Sequence, residues 1–244
     1  MSASQGPTLR ELAVQALSSV EHGYDLLAPK FDRTPYRTAD KVLDAVTAAL
    51  RPLGPFSSGL DICCGTGAGT GVLRRVCERR VVGVDFSSGM LDEARRSHSG
   101  GPTTPTVSWV RADVRAMPVR TGGAFDLAVS FGAFGHFLAR ERPSLFTQVH
   151  ATLRPGGLFA FPVGAPPRVG SGPYWQLWAF DAAMRVRNAL WHPPFVMYYR
   201  TFPLPEVREE LTRAGFRVGT LPLPGLGRRA DGSPRGRLVL ARKH

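Results

Sequence analysis

The chain offers little for a covalent or membrane-bound scaffold. Its 244 residues include three cysteines, Cys63, Cys64 and Cys77. So odd and sparse a set excludes a disulfide framework and points to a reducing compartment. No apolar run approaches the roughly 18 residues that a membrane span needs. The opening stretch MSASQGPTLRELAVQAL has no basic segment followed by an apolar one, so no signal peptide is expected. These absences together predict a cytoplasmic protein with no membrane span. A Lys/Arg block of five is also missing, despite a net charge of +12. The richest basic groups are LRRVCERR (73–80) and GRRADGSPRGR (227–237). A basic excess attracts acidic partners, nucleic acid among them. Scattered arginine alongside glycine, proline and alanine also fits a GC-rich coding bias, and nucleic acid is the disfavoured partner here.

What remains is an ordinary globular composition, 43% hydrophobic, enough for one α/β domain with a small appendage. Thr8-Leu9-Arg10-Glu11 reads as a capping box. Leu9, Leu12, Ala13, Ala16, Leu17 and Val20 continue it as a helical stripe. A second helix is predicted over Thr38–Leu50, stopping before Pro52, and RPLGPFSSG (51–59) reads as a linker. Residues 1–56 are therefore expected to form a helical cap ahead of a main domain over 57–244.

From Gly59 the pattern alternates. Strands are expected at Gly59–Cys63, Arg80–Asp85, Thr106–Arg111, Phe125–Phe131, Leu158–Val163, Phe216–Leu221 and Arg237–Arg242. Helices fit near Gly69–Arg79, Ser88–Ser97, Pro143–Leu153 and Pro205–Ala214. Pro143 and Pro205 suit a first helical turn, and Gly215 suits a helix end. The alternation predicts a mostly parallel, doubly wound sheet whose last two strands pair antiparallel.

The stretch LDICCGTGAGTG (60–71) lies at the end of the first strand, where open α/β sheets bind ligands. Its glycines allow backbone to approach a ligand, and the following helix presents free N–H groups. The dinucleotide fingerprint G-x-G-x-x-G fits in neither register, because its third position falls on Thr70 or Val72. Three acids reinforce the site. Asp61 precedes the turn, Asp85 ends the second strand and Asp113 ends the third. A carboxylate at the Asp85 position suits the two hydroxyls of a ribose. For Asp113 a helix-capping role is the alternative.

Five segments in order resemble the class I S-adenosylmethionine (SAM)-dependent methyltransferases over roughly residues 57–244. They are LDICCGTGAGT, VVGVDFSSGMLDEAR, VRADVRAMPV, FDLAVSFGAFGHF and LRPGGLFAF. The resemblance implies a Rossmann-like, seven-stranded, mostly parallel sheet with an antiparallel last strand, and SAM as cofactor. It assigns Asp61, Gly65, Thr66 and Gly67 to the methionine portion and Asp85 to the ribose. Phe86 and Met90 would pack on adenine, with Asp113 and Val114 beside them. Phe131 would open the segment nearest the methyl. One departure from the family pattern stands out: Cys63 occupies the first glycine position. Cys63 and Cys64 are expected to be small buried residues, and no metal is expected.

His136, in the segment expected to face the substrate, is the candidate general base, with packing at a helix start as its alternative. Tyr24, within YDLLAPKFD, resembles the tyrosine that lies near the methyl in small-molecule members of the family, and is a candidate for both catalysis and substrate contact. The stretch from Tyr174 to Phe202 holds three of the four tryptophans, Trp175, Trp178 and Trp191. It reads as a substrate lid within about 165–202, with Trp175, Trp178, Tyr198 and Tyr199 as lining residues; packing or a dimer contact is the alternative. These features favour methylation of a small hydrophobic or aromatic metabolite of secondary or quinone-like metabolism, with oxygen the preferred acceptor atom. An RNA or protein methyltransferase and a non-catalytic SAM-binding protein are the competing readings. A monomer or homodimer is expected.

Overall fold

The computed structural model describes residues 20–34, 36–100, 104–117, 123–191 and 203–244. The cap contributes α1 (Val20–Leu27), a 3-10 turn (Ala28–Arg33) and α2 (Asp40–Leu50). The sheet domain then runs β1 (Phe56–Ile62), α3 (Ala68–Leu73), β2 (Cys77–Asp85), α4 (Ser88–His98), β3 (Thr106–Arg111), β4 (Phe125–Val129), α5 (Arg142–Thr152) and β5 (Leu153–Gly164). It finishes with α6 (Gly172–Trp191), α7 (Leu204–Arg213), β6 (Phe216–Pro222) and β7 (Gly236–Lys243). The capping box at Thr8–Glu11 lies outside the described residues.

Seven strands form one sheet in the order β3-β2-β1-β4-β5-β7-β6. The first five pair in parallel, while β7 is antiparallel to both β5 and β6. The expected Rossmann-like sheet is therefore the observed one. Strand order reverses between β1 and β4, and such a reversal opens a crevice beyond the carboxyl ends of the strands.

Period-two burial sets the two sides of the sheet. Along β5, Phe159 and Phe161 join one core with Phe146 of α5 and Val207 and Leu211 of α7. Leu158 and Ala160 join the other, with Leu43, Val46 and Leu50 of α2 and Val72 and Leu73 of α3. The sheet is thus covered on both faces, as a parallel sheet must be. No helix of the described residues is long and apolar enough to cross a membrane.

Several boundaries differ from expectation: β1 begins at Phe56, inside the predicted linker, and β5 begins at Leu153 instead of Leu158. The helix predicted over Gly69–Arg79 ends at Leu73, and β2 begins at Cys77. Pairing with β1 captures this segment, with Phe56 opposite Cys77 and Ser58 opposite Arg80. Cys77 therefore sits on a strand, not on a helix turn. It fits because Gly59 lacks a Cβ, which would lie 2.8 Å from the Cys77 sulfur.

Candidate functional site

The turn after β1 is left-handed three times, at Cys63 (φ 54°), Gly65 (φ 52°) and Gly67 (φ 94°). Gly67 is the residue from which α3 starts. The alternation folds the chain into a tight turn that the Gly67 N–H bond to the Cys64 carbonyl (2.8 Å) and the Cys64 N–H bond to the Val84 carbonyl (2.9 Å) hold in place. Cys63 is the only non-glycine with positive φ among the described residues. That geometry explains why a glycine is usual there, since a Cβ in this region costs roughly 1–2 kcal/mol. We expect Cys63→Gly to leave unfolding free energy within about 1 kcal/mol of the parent, because relief of strain offsets the added freedom of the unfolded chain. Cys63→Val, β-branched in the same conformation, should lose at least about 2 kcal/mol. Urea titration of the two variants checks both signs.

Asp61 is buried at the root of this turn. Its Oδ2 accepts a hydrogen bond from the Thr70 hydroxyl at 2.9 Å. Burial pushes its carboxyl up to about 7, against the opposing pull of the Thr70 hydrogen bonds. Next along the sheet edge, Asp85 is also buried and joins two loops. Its Oδ2 accepts from the Gly65 N–H (2.9 Å) and its Oδ1 from the Ser87 N–H (3.0 Å). Burial raises its carboxyl from the ordinary range while these backbone bonds oppose the rise.

Asp113 caps a short 3-10 turn after β3 and grips Arg115. The guanidinium Nε lies 3.0 and 2.9 Å from its two oxygens, and Nη2 lies 2.7 Å from Oδ2. Partial burial works against its charge, but the bonds from Arg115 outweigh it and hold the carboxyl below its usual value. Arg115 also reaches Glu141 Oε1 at 3.1 Å, which ties this corner to the segment before α5.

These strand ends enclose a cavity of about 440 Å³, within the roughly 300–1,000 Å³ typical of small-molecule sites. Among the sequence candidates, Tyr24, Asp61, Gly65, Thr66, Asp85, Phe86, Met90, Asp113, Val114 and Phe131 all line it. Gly67 does not line it; it is packed against α4 instead, where a Cβ would sit 2.6 Å from the His98 ring. His136 lies in the 3-10 turn Ala133–His136. The neighbours Gly132, Ala133 and Phe137 reach the cavity, while the His136 side chain lies outside the described set.

The proposed lid behaves differently. Trp175 and Trp178 stand on α6 with 56% and 51% of their surface exposed, and neither lines the cavity. Tyr198 and Tyr199 lie outside the described residues. Arg168 pairs with Asp231 at 3.2 Å.

The cap supplies what the sequence reading missed. Phe31, Tyr36, Arg37 and Thr38 line the cavity beside Tyr24. The Tyr24 ring is edge-on to Phe31 and Phe86, with centroids 6.1 and 6.3 Å away. Arg37 is held by Asp40 at 2.7 Å, with Asp32 3.7 Å away. The segment between the 3-10 turn and α2 has no periodicity, so only the neighbouring YDLLAPKFD motif signalled it.

The residues present suit SAM on structural grounds. Asp85 has carboxylate lone pairs left after its bonds to the Gly65 and Ser87 N–H groups, enough to accept from a diol. Gly65 has open space where a Cβ would stand, so a ligand can approach its backbone. The aromatic walls offer faces for a flat purine. Among the described residues no group of three or more His, Cys, Asp or Glu is placed to hold a metal.

A family model described as a methyltransferase domain matches residues 60–157. The chain is 29% identical over 174 residues to a 2-phytyl-1,4-naphtoquinone methyltransferase of Nostoc punctiforme, covering 67% of this chain and 74% of that one. It is 28% identical over 193 residues to a demethylmenaquinone methyltransferase of Lactiplantibacillus plantarum, covering 77% and 80%. Its fold superposes on magnesium protoporphyrin IX methyltransferase from Synechocystis PCC 6803 with bound SAH, at a TM-score of 0.56 and 18% identity, over 84% and 82% of the two chains. The methyltransferase domain over residues 60–157, the order of the motifs and the sheet topology support a class I SAM-dependent methyltransferase.

Proposed function

We propose that this enzyme methylates a small hydrophobic or aromatic metabolite, and that the residues in its cavity divide into a cofactor set and an acceptor set. One observation carries the reading: the chain's own cap helps line the cavity, where Tyr24, Phe31 and Tyr36 join Phe131 and Phe137 in its walls. An aromatic-lined cavity of this kind suits a compact apolar acceptor better than an RNA or protein surface. The relatives named for naphthoquinone and menaquinone acceptors support the same class of substrate.

SAM supplies a methyl group on a sulfonium, which is already a good leaving group. Asp85 takes the ribose hydroxyls. Asp61 and the Gly65–Gly67 backbone hold the methionine portion, and Arg37 is placed to pair with a carboxylate. Phe86 and Met90 pack against the adenine, with Asp113 and Val114 at its edge. The cap excludes water and aligns the acceptor, and such positioning can be worth as much as ~7–11 kcal/mol. His136 takes the proton of an acceptor that arrives protonated, and Tyr24 orients that acceptor.

Because Asp61 titrates near 7, SAM binding should depend on pH. Burial raises the group, so the ligand-free protein holds a proton there below about 7, and a cationic ligand favours the charged form. Affinity should therefore rise with pH and level off above about 8, weakening by up to about tenfold per unit below 7. The same sign makes this group's contribution to ligand-free stability grow as pH falls from about 7 towards the ordinary carboxylate range. Calorimetric titrations from pH 5.5 to 8.5 should show the slope in the parent and lose it in Asp61→Asn.

The functional test is label transfer from methyl-tritiated SAM into a host-cell extract, separated into small molecules, RNA and protein. Label in the organic-soluble small-molecule fraction is expected, and analysis of that product identifies the methylated atom. Label confined to RNA or protein overturns the acceptor class. In the same extract His136→Ala should lose at least about a hundredfold in rate while binding SAM as the parent does. An unchanged single-turnover rate removes His136 from the role of base.

A further inference from the structure

Two carboxylates of the cap lie outside the roles assigned so far, and each reaches a different cofactor loop. Asp25, near the end of α1, accepts from the Ser87 hydroxyl at 2.6 Å and from the Gly89 N–H at 2.8 Å. Asp32, in the following 3-10 turn, accepts from the Thr66 hydroxyl at 2.6 Å. Ser87 and Gly89 begin α4 directly after Asp85, and Thr66 sits between Gly65 and Gly67. The cap is thus bonded to the ribose-side loop and to the glycine turn at once.

The Asp25 contact has the chemistry of a helix cap supplied from another element. Ser87 caps the Met90 N–H through its own side chain. Asp25 satisfies the Gly89 N–H, another of the donors that a helix start leaves free, and its negative charge suits that end of the helix. The approach is close. A Cβ at Gly89 would lie 3.0 Å from the Asp25 Cα and 3.1 Å from its carbonyl oxygen. Apolar burial adds to this hold through Leu27 and Ala28, while Leu26 is exposed.

Tyr24 adjoins Asp25 in the chain, so whatever fixes Asp25 also fixes the ring set against Phe86 and Phe31. Asp32 similarly stands between Thr66 and Arg37. We propose that Asp25 and Asp32 are positioning residues that register the cap on the two cofactor loops, holding Tyr24, Phe31 and Arg37 over the cofactor so that cap docking and cofactor retention become one coupled event. The proposal rests on the cofactor placement above and adds a cause for the shape of the cap's side of the cavity.

Two kinds of substitution separate this role from general stability. Asp25→Ala removes the acceptor, whereas Asp25→Asn keeps an oxygen for Gly89 and Ser87. Gly89→Ala leaves every polar group in place but drives a methyl against the Asp25 backbone, while giving α4 a better helix former. The expected result is a tenfold or larger rise in the Kd for SAM in Asp25→Ala, through faster release, with most of the loss recovered in Asp25→Asn. Gly89→Ala should release SAM faster although its Tm equals or exceeds that of the parent. Asp32→Ala should speed release as well. Parent-like Kd and release rates in both Asp25→Ala and Gly89→Ala would overturn the proposal.

Hydrogen exchange over residues 20–34 of the ligand-free proteins supplies a readout independent of the cofactor. Faster exchange is expected in Asp25→Ala and Gly89→Ala, and unchanged exchange overturns the docking role. A parent that fails to bind SAM would instead overturn the cofactor placement, while the exchange result would still decide the attachment of the cap.

Discussion

Replacing Asp85 with alanine is expected to weaken SAM binding by at least about a hundredfold, or about 2.7 kcal/mol at 1.36 kcal/mol per tenfold. The side chain is buried and its two oxygens each accept a backbone N–H, one from the glycine turn and one from the start of α4. Under the proposed placement it has two roles for a ribose between those loops. It offers the remaining lone pairs to the hydroxyls, and it keeps the loops at the spacing that the nucleoside needs. Alanine removes both and leaves two N–H groups without their acceptor, each worth about 1–3 kcal/mol if water does not replace it. Loss of a buried carboxylate works the other way for folding, since burial disfavours its charge. Ligand-free stability should consequently change by less than the binding energy does. Calorimetry on folded Asp85→Ala measures the first quantity and urea unfolding the second. Near-parent affinity would take Asp85 out of the ribose role.

Asp61, Asp85 and Asp113 were legible because a parallel sheet places every strand end on one edge, so position along the strand pattern was enough to bring them together. The glycine turn was legible for the same reason, and its one irregular member, Cys63, marked itself by standing where the backbone is left-handed. Other features depend on contacts between distant segments. The need for Gly83 shows only in space, where a Cβ would sit 2.6 Å from Trp109. Arg37 lies in a stretch without periodicity and gains its place from Asp32 and Asp40. Aromatic composition pointed to Trp175 and Trp178 as cavity residues, but composition does not say which way a helix face turns, and both stand exposed on α6. The end of α3 was misplaced because local helix propensity in 74–79 loses to strand pairing with β1.

Two glycines of the same short helix should respond to alanine with opposite signs. In a helix interior alanine is favoured over glycine by about 1 kcal/mol, so Gly→Ala stabilises wherever space allows. At Gly71 the nearest atom to an added Cβ is His98 Nε2 at 3.9 Å, an ordinary contact. Gly71→Ala should therefore gain up to about 1 kcal/mol. At Gly69 the added methyl would overlap Asp61 Oδ1 and stand 2.7 Å from Phe131 Cδ2. Neither neighbour yields freely. Asp61 is buried and held by Thr70, and its withdrawal would break that bond and strand a polar group in the core. Overpacking of this kind typically costs 1–3 kcal/mol, roughly one to three times the helix gain. Gly69→Ala should thus lower the urea midpoint at unchanged m-value and weaken SAM binding at least about tenfold, because the displaced groups are the Asp61 carboxylate and the Phe131 ring of the cavity wall. If Gly69→Ala proves as stable as Gly71→Ala, Asp61 is free to move aside. The tight packing proposed for the methionine end of the site would then not hold.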